Sequence, residues 1–305
     1  MRLEYAQTRA RGHIQFGWKA PGEDDALGRA LAAANQADHI VLTLGLTPDL
    51  EGEEMSVTAE GFQGGDRTSI QLPGSQRELM EKVFALKKPT VVLLTTGSAV
   101  SLDPEQANAV LLCWYYGQRG GDAVADALLG EYNPAGRLPV TFYRNDSDLP
   151  PFESYAMSNR TYRYFTGKPL YAFGHGLSYM TFDYKKLALS SASAKPGESV
   201  TVRVTVENTG KRDGDEVVQI YATEVKPPVP MPLRQLVGFK RVSFKAGEAK
   251  TVEIAVPVEL LRRWDESGNR YVIDPGGYEI VAGPSSDQPL LKAALNILHQ
   301  AGTMQ

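Results

Sequence analysis

The chain has 305 residues, of which 42% are hydrophobic and 22% are charged, a composition typical of a globular protein with about two domains. Its 36 acidic and 32 basic residues give a formal net charge of −4 and are mixed along the sequence, so no surface for nucleic acid or an anionic membrane is expected. No apolar run approaches the roughly 20 residues that span a bilayer, and no signal peptide pattern is present at the start.

The first 19 residues predict two short strands. Leu3 and Tyr5 alternate with polar residues in the first strand, and Ile14 and Phe16 do so in the second. Because an isolated hairpin is only marginally stable in water, we interpret residues 1–19 as the end of a β-domain that lies mostly outside this chain. The alternative is that these strands pair with an edge of the later sheet.

Residues 25–145 alternate between helical and strand patterns, which predicts a parallel sheet covered by helices. Buried strands are expected at 39–45, 91–95 and 109–114, and helices at 26–36, from Ser75 onward and at 121–129. The string Ser75-Gln-Arg-Glu78 has the form of a capping box, and Gly130 is the expected stop of the last helix. That helix is expected to turn four side chains inward: Ala123, Val124, Ala127 and Leu128. Three strands make a small sheet, so part of this domain is expected elsewhere.

The single cysteine, Cys113, lies in the third predicted strand. It excludes an intrachain disulfide framework, and its apolar neighbours predict a buried structural thiol. Four histidines at wide spacing and one cysteine argue against a zinc site, so no metal and no cofactor is expected.

Residues 146–181 form a long irregular stretch that contains many aromatic side chains. Such a stretch favours either a binding loop or a linker packed at a domain interface, and the sequence gives both interpretations equal weight.

Residues 182–300 change to a period of two, which predicts a β-sandwich of about seven strands. Three sets of apolar residues alternate with polar ones: Val200, Val202, Val204 and Val206, then Val218, Ile220 and Ala222, then Val252, Ile254 and Val256. The expected fold class is therefore α/β followed by all-β.

The loop after the first strand of the α/β region contains the strongest candidate for chemistry. It holds Asp49, Glu51, Glu53 and Glu54, and ligands of parallel sheets bind at the carboxyl ends of strands. Neighbouring carboxylates disfavour one another's ionisation, which suits a general acid. On composition alone, a solvated acidic loop is the commoner explanation, and a calcium site is a rarer one.

Three other segments carry weaker signals. Gly117-Gln-Arg-Gly120-Gly121 lacks the spacing of a phosphate-binding loop, which favours a packing turn. His175 stands between two glycines, where a turn residue is the commoner explanation, and Ser98 lacks the context of a nucleophile elbow.

Six strings in register resemble the second and third domains of glycoside hydrolase family 3, the β-glucosidases and β-xylosidases. They are Gly45-Leu-Thr-Pro-Asp-Leu-Glu51-Gly-Glu-Glu-Met55, Gly64-Gly-Asp66-Arg67-Thr68, Leu72-Pro-Gly-Ser-Gln76, Gly136-Arg-Leu-Pro-Val-Thr-Phe142, Arg160-Thr-Tyr-Arg-Tyr164 and Tyr171-Ala-Phe-Gly-His-Gly-Leu-Ser-Tyr179. The third domain of that family is a fibronectin type III-like sandwich. Residues 1–18 also resemble the last strands of the protective-antigen-like module that some members insert in the α/β domain.

The resemblance implies retaining, exo-acting hydrolysis of a β-linked oligosaccharide or aryl glycoside, which needs two carboxyl groups about 5 Å apart. In the family, an N-terminal (β/α)8 barrel supplies the nucleophilic aspartate, and a glutamate in the loop after an α/β strand is the acid/base. That glutamate matches Glu51, with Glu54 as the fallback. Asp66 and Arg67 match an Asp-Arg pair that supports the loop or the substrate, or forms a structural ion pair.

No barrel of about 250 residues precedes the matching region, so this chain is expected to act within a longer or split enzyme and to be inactive alone. The resemblance favours a xyloside over a glucoside and a periplasmic or secreted location. The alternative function is a non-catalytic carbohydrate-binding or interaction module formed by the aromatic stretch and the sandwich. An adhesion protein is a weaker third option.

Overall fold

The structure, a computed structural model, describes residues 25–299. It consists of an α/β unit, a connecting segment and a β-sandwich, as the sequence predicts. The predicted hairpin within residues 1–19 lies outside the described residues. Within the described range, none of the helices has the length and hydropathy that crossing a bilayer demands.

The α/β unit has a three-stranded parallel sheet with β4 in the centre, in the order β1-β4-β5. Its elements are α1 (Ala26–Gln36), β1 (Ile40–Gly45), β2 (Phe62–Gln63), β3 (Asp66–Arg67), α2 (Gly74–Ala85), β4 (Thr90–Thr95), β5 (Ala109–Leu112) and α3 (Gly120–Leu129). The predicted alternation of strands and helices is confirmed. β2 and β3 form a separate antiparallel hairpin, which the sequence analysis did not anticipate.

The core of this unit lies between the sheet and α2. Met80, Val83 and Phe84 of α2 are buried, at the spacing that places them on one helical face. They belong to one apolar cluster with the buried side chains of β1 and β4, among them Leu44 and Leu94. Burial of these residues fixes both strands and therefore the loops that leave them.

Two details of the helices differ from the prediction. α2 begins at Gly74 after the N-cap Pro73, and no side chain caps it. The prediction of a capping box with Ser75 as its first residue is therefore wrong, because Ser75 already lies within the first turn of α2. Of the four side chains predicted to face inward in α3, Ala127 is buried and Val124 is partly buried, whereas Ala123 is exposed and Leu128 is 37% exposed. The helix end at Gly130 is confirmed, with a left-handed φ of +79°.

Cys113 lies outside the third strand, which ends two residues earlier than predicted, at Leu112. A positive φ of +54° at Trp114 turns the chain away from the extended conformation there. The thiol is free and half-buried rather than fully buried, and burial raises its pKa.

The connecting segment, residues 146–181, packs aromatic side chains against the sandwich and, through Tyr171, against Phe142 of the α/β core. Tyr162, in the short helix α4 (Thr161–Tyr164), stacks on Phe173 at 4.2 Å and meets Tyr221 of the sandwich edge-on at 6.0 Å. Phe152 and Tyr155, in contrast, are 93% and 99% exposed. The packing supports the interpretation of this stretch as an interface linker.

The sandwich contains a five-stranded and a three-stranded sheet, ordered β10-β9-β14-β15-β7 and β11-β8-β6. Its strands are β6 (Phe182–Leu189), β7 (Ser193–Ala194), β8 (Ser199–Asn208), β9 (Gly214–Glu224), β10 (Gln235–Phe244), β11 (Ala249–Pro257), β14 (Gly276–Gly283) and β15 (Leu291–Ile297), with β12 (Arg263–Asp265) and β13 (Arg270–Val272) as an additional hairpin. All the alternating apolar residues predicted in β8, β9 and β11 are buried in one core.

A buried ion pair joins the segment that follows α3 to the sandwich. Arg137 Nη2 lies 2.9 Å from Glu216 Oε2, and the two side chains are only 8% and 3% exposed. Tyr184 donates its hydroxyl to the other oxygen of Glu216 at 3.1 Å. Burial, followed by the charge of Glu216, raises the pKa of Tyr184, so this hydroxyl stays protonated and remains a donor.

We expect Glu216→Gln to lower the free energy of unfolding by about 3–5 kcal/mol, because it leaves the buried Arg137 charge without a counter-charge. The matched control is Glu253→Gln, which breaks an exposed pair with Arg203 and should cost about 0.2–1 kcal/mol. Urea denaturation of both variants measures the difference. Equal costs would contradict a structural role for the buried pair.

Candidate active site

The loop that carries the predicted acid leaves the sheet at a fixed point. Gly45, the last residue of β1, has a φ of +146°, and a Cβ atom there would lie 1.8 Å from the carbonyl oxygen of Thr95. Its amide and carbonyl groups are both bonded to the side-chain amide of Gln76, at 2.8 and 2.7 Å. Only glycine allows this close approach of two strand ends.

The β2–β3 hairpin supports the middle of the loop. The Gly52 amide donates to the Gly65 carbonyl at 3.3 Å, and the Met55 amide donates to the Gly64 carbonyl at 2.9 Å. Gly65 has a φ of +92°, and a Cβ atom there would lie 1.8 Å from the Gly52 oxygen. Glycine is therefore required at position 65 by this contact.

Glu51 lies where three strand-following segments converge. Its Oε1 accepts a hydrogen bond of 2.7 Å from Ser98 Oγ, which follows β4. Its Oε2 lies 3.3 Å from the hydroxyl of Tyr115, which follows β5. Both partners are neutral hydroxyls, which can accompany a carboxyl group in its charged and its protonated form. Glu51 is half-buried at the carboxyl edge of the sheet, the place expected for a ligand site.

Arg67 holds Ser98 in turn. Its Nη1 donates to Ser98 Oγ at 2.8 Å and to the Ala99 carbonyl at 2.6 Å. Its Nε and Nη2 donate to the Ser69 carbonyl at 3.2 and 3.0 Å. Burial lowers the pKa of Arg67, and the charge of Glu51 opposes that shift.

Asp66 is exposed on the neighbouring position of β3, where consecutive side chains point to opposite faces. Arg67 uses its donors on the segment after β4 and on Ser69, so the ion pair considered between Asp66 and Arg67 is not what holds this arginine. The structure brings Arg67 to the site and leaves Asp66 at the surface.

Tyr115 lies beside the Glu51 carboxylate, with its hydroxyl next to Oε2. Burial, followed by the charge of Glu51, raises the pKa of Tyr115, so its hydroxyl remains a donor at neutral pH. The ring lies over Gly97, where an added Cβ atom would be 2.9 Å from it, and the side chain is 44% exposed. Neither Tyr115 nor Ser98 was predicted to contact Glu51, and Ser98 was considered only as a nucleophile. Both follow predicted strands, which was the available signal.

The fallback Glu54 is exposed, with a φ of +50° in a turn, and the neighbouring Glu53 is exposed as well. Neither shares the two hydroxyl partners of Glu51, whose bonds come from Ser98 and Tyr115.

The weaker candidates have structural roles. At Gly120 an added Cβ would lie 2.0 Å from Tyr116, as expected for a packing turn. The ring of His175 stacks on Tyr171 at 5.0 Å. Across residues 25–299, no group of three or more His, Cys, Asp or Glu side chains is arranged to hold a metal ion.

We expect Gly65→Ala to loosen the loop that carries Glu51, because its Cβ would collide with the Gly52 carbonyl. Gly197→Ala is the matched control, since Gly197 has a similar φ of +91° with nothing within 4 Å of an added Cβ. Backbone strain alone should cost about 1–3 kcal/mol in both variants. Hydrogen exchange of the Gly52 and Met55 amides should accelerate only in Gly65→Ala, and unchanged exchange would contradict the supporting role of the hairpin.

Two family models match the chain. The glycosyl hydrolase family 3 C-terminal domain matches residues 4–179, and the fibronectin type III-like domain matches residues 216–286. Among curated relatives, a xylan 1,4-β-xylosidase from Xylanibacter ruminicola is 43% identical over 270 residues, which are 88% of this chain and 31% of the relative. A periplasmic β-glucosidase from Salmonella typhimurium is 36% identical over 274 residues, which are 85% and 34% of the two chains.

Solved structures give the same result. A β-glucosidase from Kluyveromyces marxianus in complex with glucose has a TM-score of 0.80 at 29% identity and covers 92% of this chain and 34% of its own. A β-glucosidase from Erythrobacter marinus has a TM-score of 0.76 at 34% identity and covers 89% and 36%. The chain thus spans about a third of the length of these relatives. It belongs to glycoside hydrolase family 3 and comprises the C-terminal α/β domain and the fibronectin type III-like domain of that family.

Proposed function

We propose that this chain is the C-terminal portion of a retaining, exo-acting β-glycosidase and that Glu51 is its general acid/base. The observation that carries the proposal is the position of the Glu51 carboxylate, at the carboxyl edge of the sheet between the hydroxyls of Ser98 and Tyr115. A carboxylate partnered by a cation is held by charge, whereas hydroxyl partners can form hydrogen bonds with a carboxyl group in both its charged and its protonated form.

In the proposed mechanism, a second carboxylate attacks the anomeric carbon while Glu51 donates its proton to the glycosidic oxygen. The bond between the anomeric carbon and that oxygen breaks, and its electron pair stays with the departing oxygen. Glu51, now a carboxylate, then takes a proton from a water molecule, whose oxygen displaces the carboxylate from the anomeric carbon. The net stereochemical outcome is retention.

The nucleophile of this scheme belongs to polypeptide other than residues 25–299, in a (β/α)8 barrel. Two facts support this: the chain spans 31–40% of its first curated relatives, and the partners of Glu51 within the described range are hydroxyls rather than a second carboxylate.

A β-xyloside is the preferred substrate within this proposal. The supporting fact is the similarity to the xylan 1,4-β-xylosidase of Xylanibacter ruminicola, at 43% identity, against 36% for the Salmonella typhimurium β-glucosidase. The test is the ratio of kcat/KM for p-nitrophenyl β-xyloside and β-glucoside. A ratio below one would favour the glucoside.

We expect Glu51→Gln, in the enzyme that combines this chain with the nucleophile, to lower kcat/KM on β-linked disaccharides by roughly 10²- to 10⁴-fold. The rate of the first chemical step on a 2,4-dinitrophenyl glycoside should change little, because its leaving group departs without a proton. Azide should then restore turnover and yield the glycosyl azide, since this anion attacks the anomeric carbon without base assistance.

Glu54→Gln is the matched control, because Glu54 is in the same loop and exposed. It should keep nearly wild-type kinetics on both substrates. Unchanged kinetics in Glu51→Gln would exclude the acid/base role, and the leaving-group pattern in Glu54→Gln instead would move that role to the fallback residue.

We further expect the purified 305-residue chain to show no hydrolysis above background, because one carboxyl group cannot complete a retaining mechanism. Adding a polypeptide that carries the barrel should give activity that depends on Glu51. Turnover by the chain alone, abolished by Glu51→Gln, would contradict the assignment of the nucleophile to another polypeptide.

A further inference from the structure

The hydroxyl of Ser98 lies between a cation, Arg67, and the proposed acid, Glu51. Its hydroxyl oxygen lies 2.8 Å from Arg67 Nη1 and 2.7 Å from Glu51 Oε1. Its backbone is fixed by the buried Thr96, whose hydroxyl donates to the Ser98 carbonyl at 2.9 Å. The hydroxyl therefore has a fixed place between its two partners.

The chemistry of the three groups fixes the direction of these hydrogen bonds. A guanidinium group only donates, so Ser98 Oγ must accept from Arg67. The single hydrogen of Ser98 is then directed to Glu51 Oε1, which must accept it. The other Nη1 hydrogen is bonded to the Ala99 carbonyl at 2.6 Å, so the guanidinium cannot rotate without losing a second bond.

The two oxygens of Glu51 thereby become unequal. Oε1 is occupied as an acceptor in both protonation states, and a proton on the carboxyl group must reside on Oε2. The contact of Oε2 with Tyr115 is 3.3 Å, longer than the roughly 2.7–2.8 Å typical of hydroxyl hydrogen bonds. Oε2 is thus the oxygen left available to a substrate.

The geometry points to Ser98 as a positioning residue, oriented by Arg67, that makes Oε2 of Glu51 the oxygen that gives and takes the proton. This inference rests on the proposed acid/base role of Glu51. In the first step the Oε2–H bond breaks and the proton moves to the glycosidic oxygen. In the second step Oε2 takes a proton from the attacking water. Throughout, Ser98 donates to Oε1, and this bond strengthens when Glu51 becomes a carboxylate.

The test compares two glycosides of the same sugar, one with a 2,4-dinitrophenyl leaving group and one with an unactivated alkyl leaving group. The enzyme contains this chain and the polypeptide that supplies the nucleophile. The readout is the ratio of the two kcat/KM values in one preparation, which is independent of the fraction of enzyme that is folded. The variants are Ser98→Ala, Ser98→Thr and Glu51→Gln, together with the double variant of Ser98→Ala and Glu51→Gln.

We expect Ser98→Ala to raise the ratio of activated to unactivated substrate by roughly 10- to 100-fold, the effect of one hydrogen bond to a charged group. Ser98→Thr keeps the hydroxyl and should restore the wild-type ratio. Adding Ser98→Ala to Glu51→Gln should leave the ratio of Glu51→Gln unchanged, because Ser98 acts through that carboxyl group.

An unchanged ratio in Ser98→Ala, with a raised ratio in Glu51→Gln, would overturn the positioning role and leave the proposed function intact. A further rise in the double variant would also overturn it, since Ser98 would then act independently of Glu51. An unchanged ratio in Glu51→Gln itself would remove the proposed function and this inference with it.

Discussion

The parallel pairing of β1 with β4 is the constraint on which the site depends. Gly45 pairs with Thr95, so both strands end at the same level and both following segments leave from one edge of the sheet. Glu51 lies six residues beyond the first of these ends and Ser98 three beyond the second, and their side chains meet at 2.7 Å. The packing of α2 under both strands makes that meeting point rigid.

Two arginines join segments that are far apart in the sequence. Arg67 connects the β2–β3 hairpin to the turn after β4, and Arg137 connects the segment after α3 to β9 through Glu216. The forked guanidinium suits this task, because several donors in one plane define an orientation as well as a distance. At Arg67 this orientation determines the direction of the Ser98 hydroxyl. At Arg137 it fixes the segment after α3 against the sandwich.

Local patterns predicted the sandwich and the βα alternation, because an element with one buried face carries apolar residues at a regular spacing. Val204 in a strand and Phe84 in a helix are buried residues of such patterns. The strand pattern predicted the acidic loop at the carboxyl edge of the sheet, whereas the choice of Glu51 within that loop came from the family resemblance. The predicted capping box at Ser75 is wrong, because the N-cap of α2 is Pro73, two residues earlier. Ser98 and Tyr115 were missed as partners of Glu51, because the register that brings three segments together is not encoded within any one of them.

The most direct test of the account is the distance between the Glu51 carboxyl group and the nucleophilic carboxylate, measured in a crystal structure that contains this chain and the barrel. The account predicts a separation of roughly 5–5.5 Å across the anomeric carbon, with Oε2 of Glu51 facing the glycosidic oxygen. A separation of roughly 6.5–9.5 Å would indicate an inverting geometry and contradict it. So would a different carboxyl group from this chain at the glycosidic oxygen.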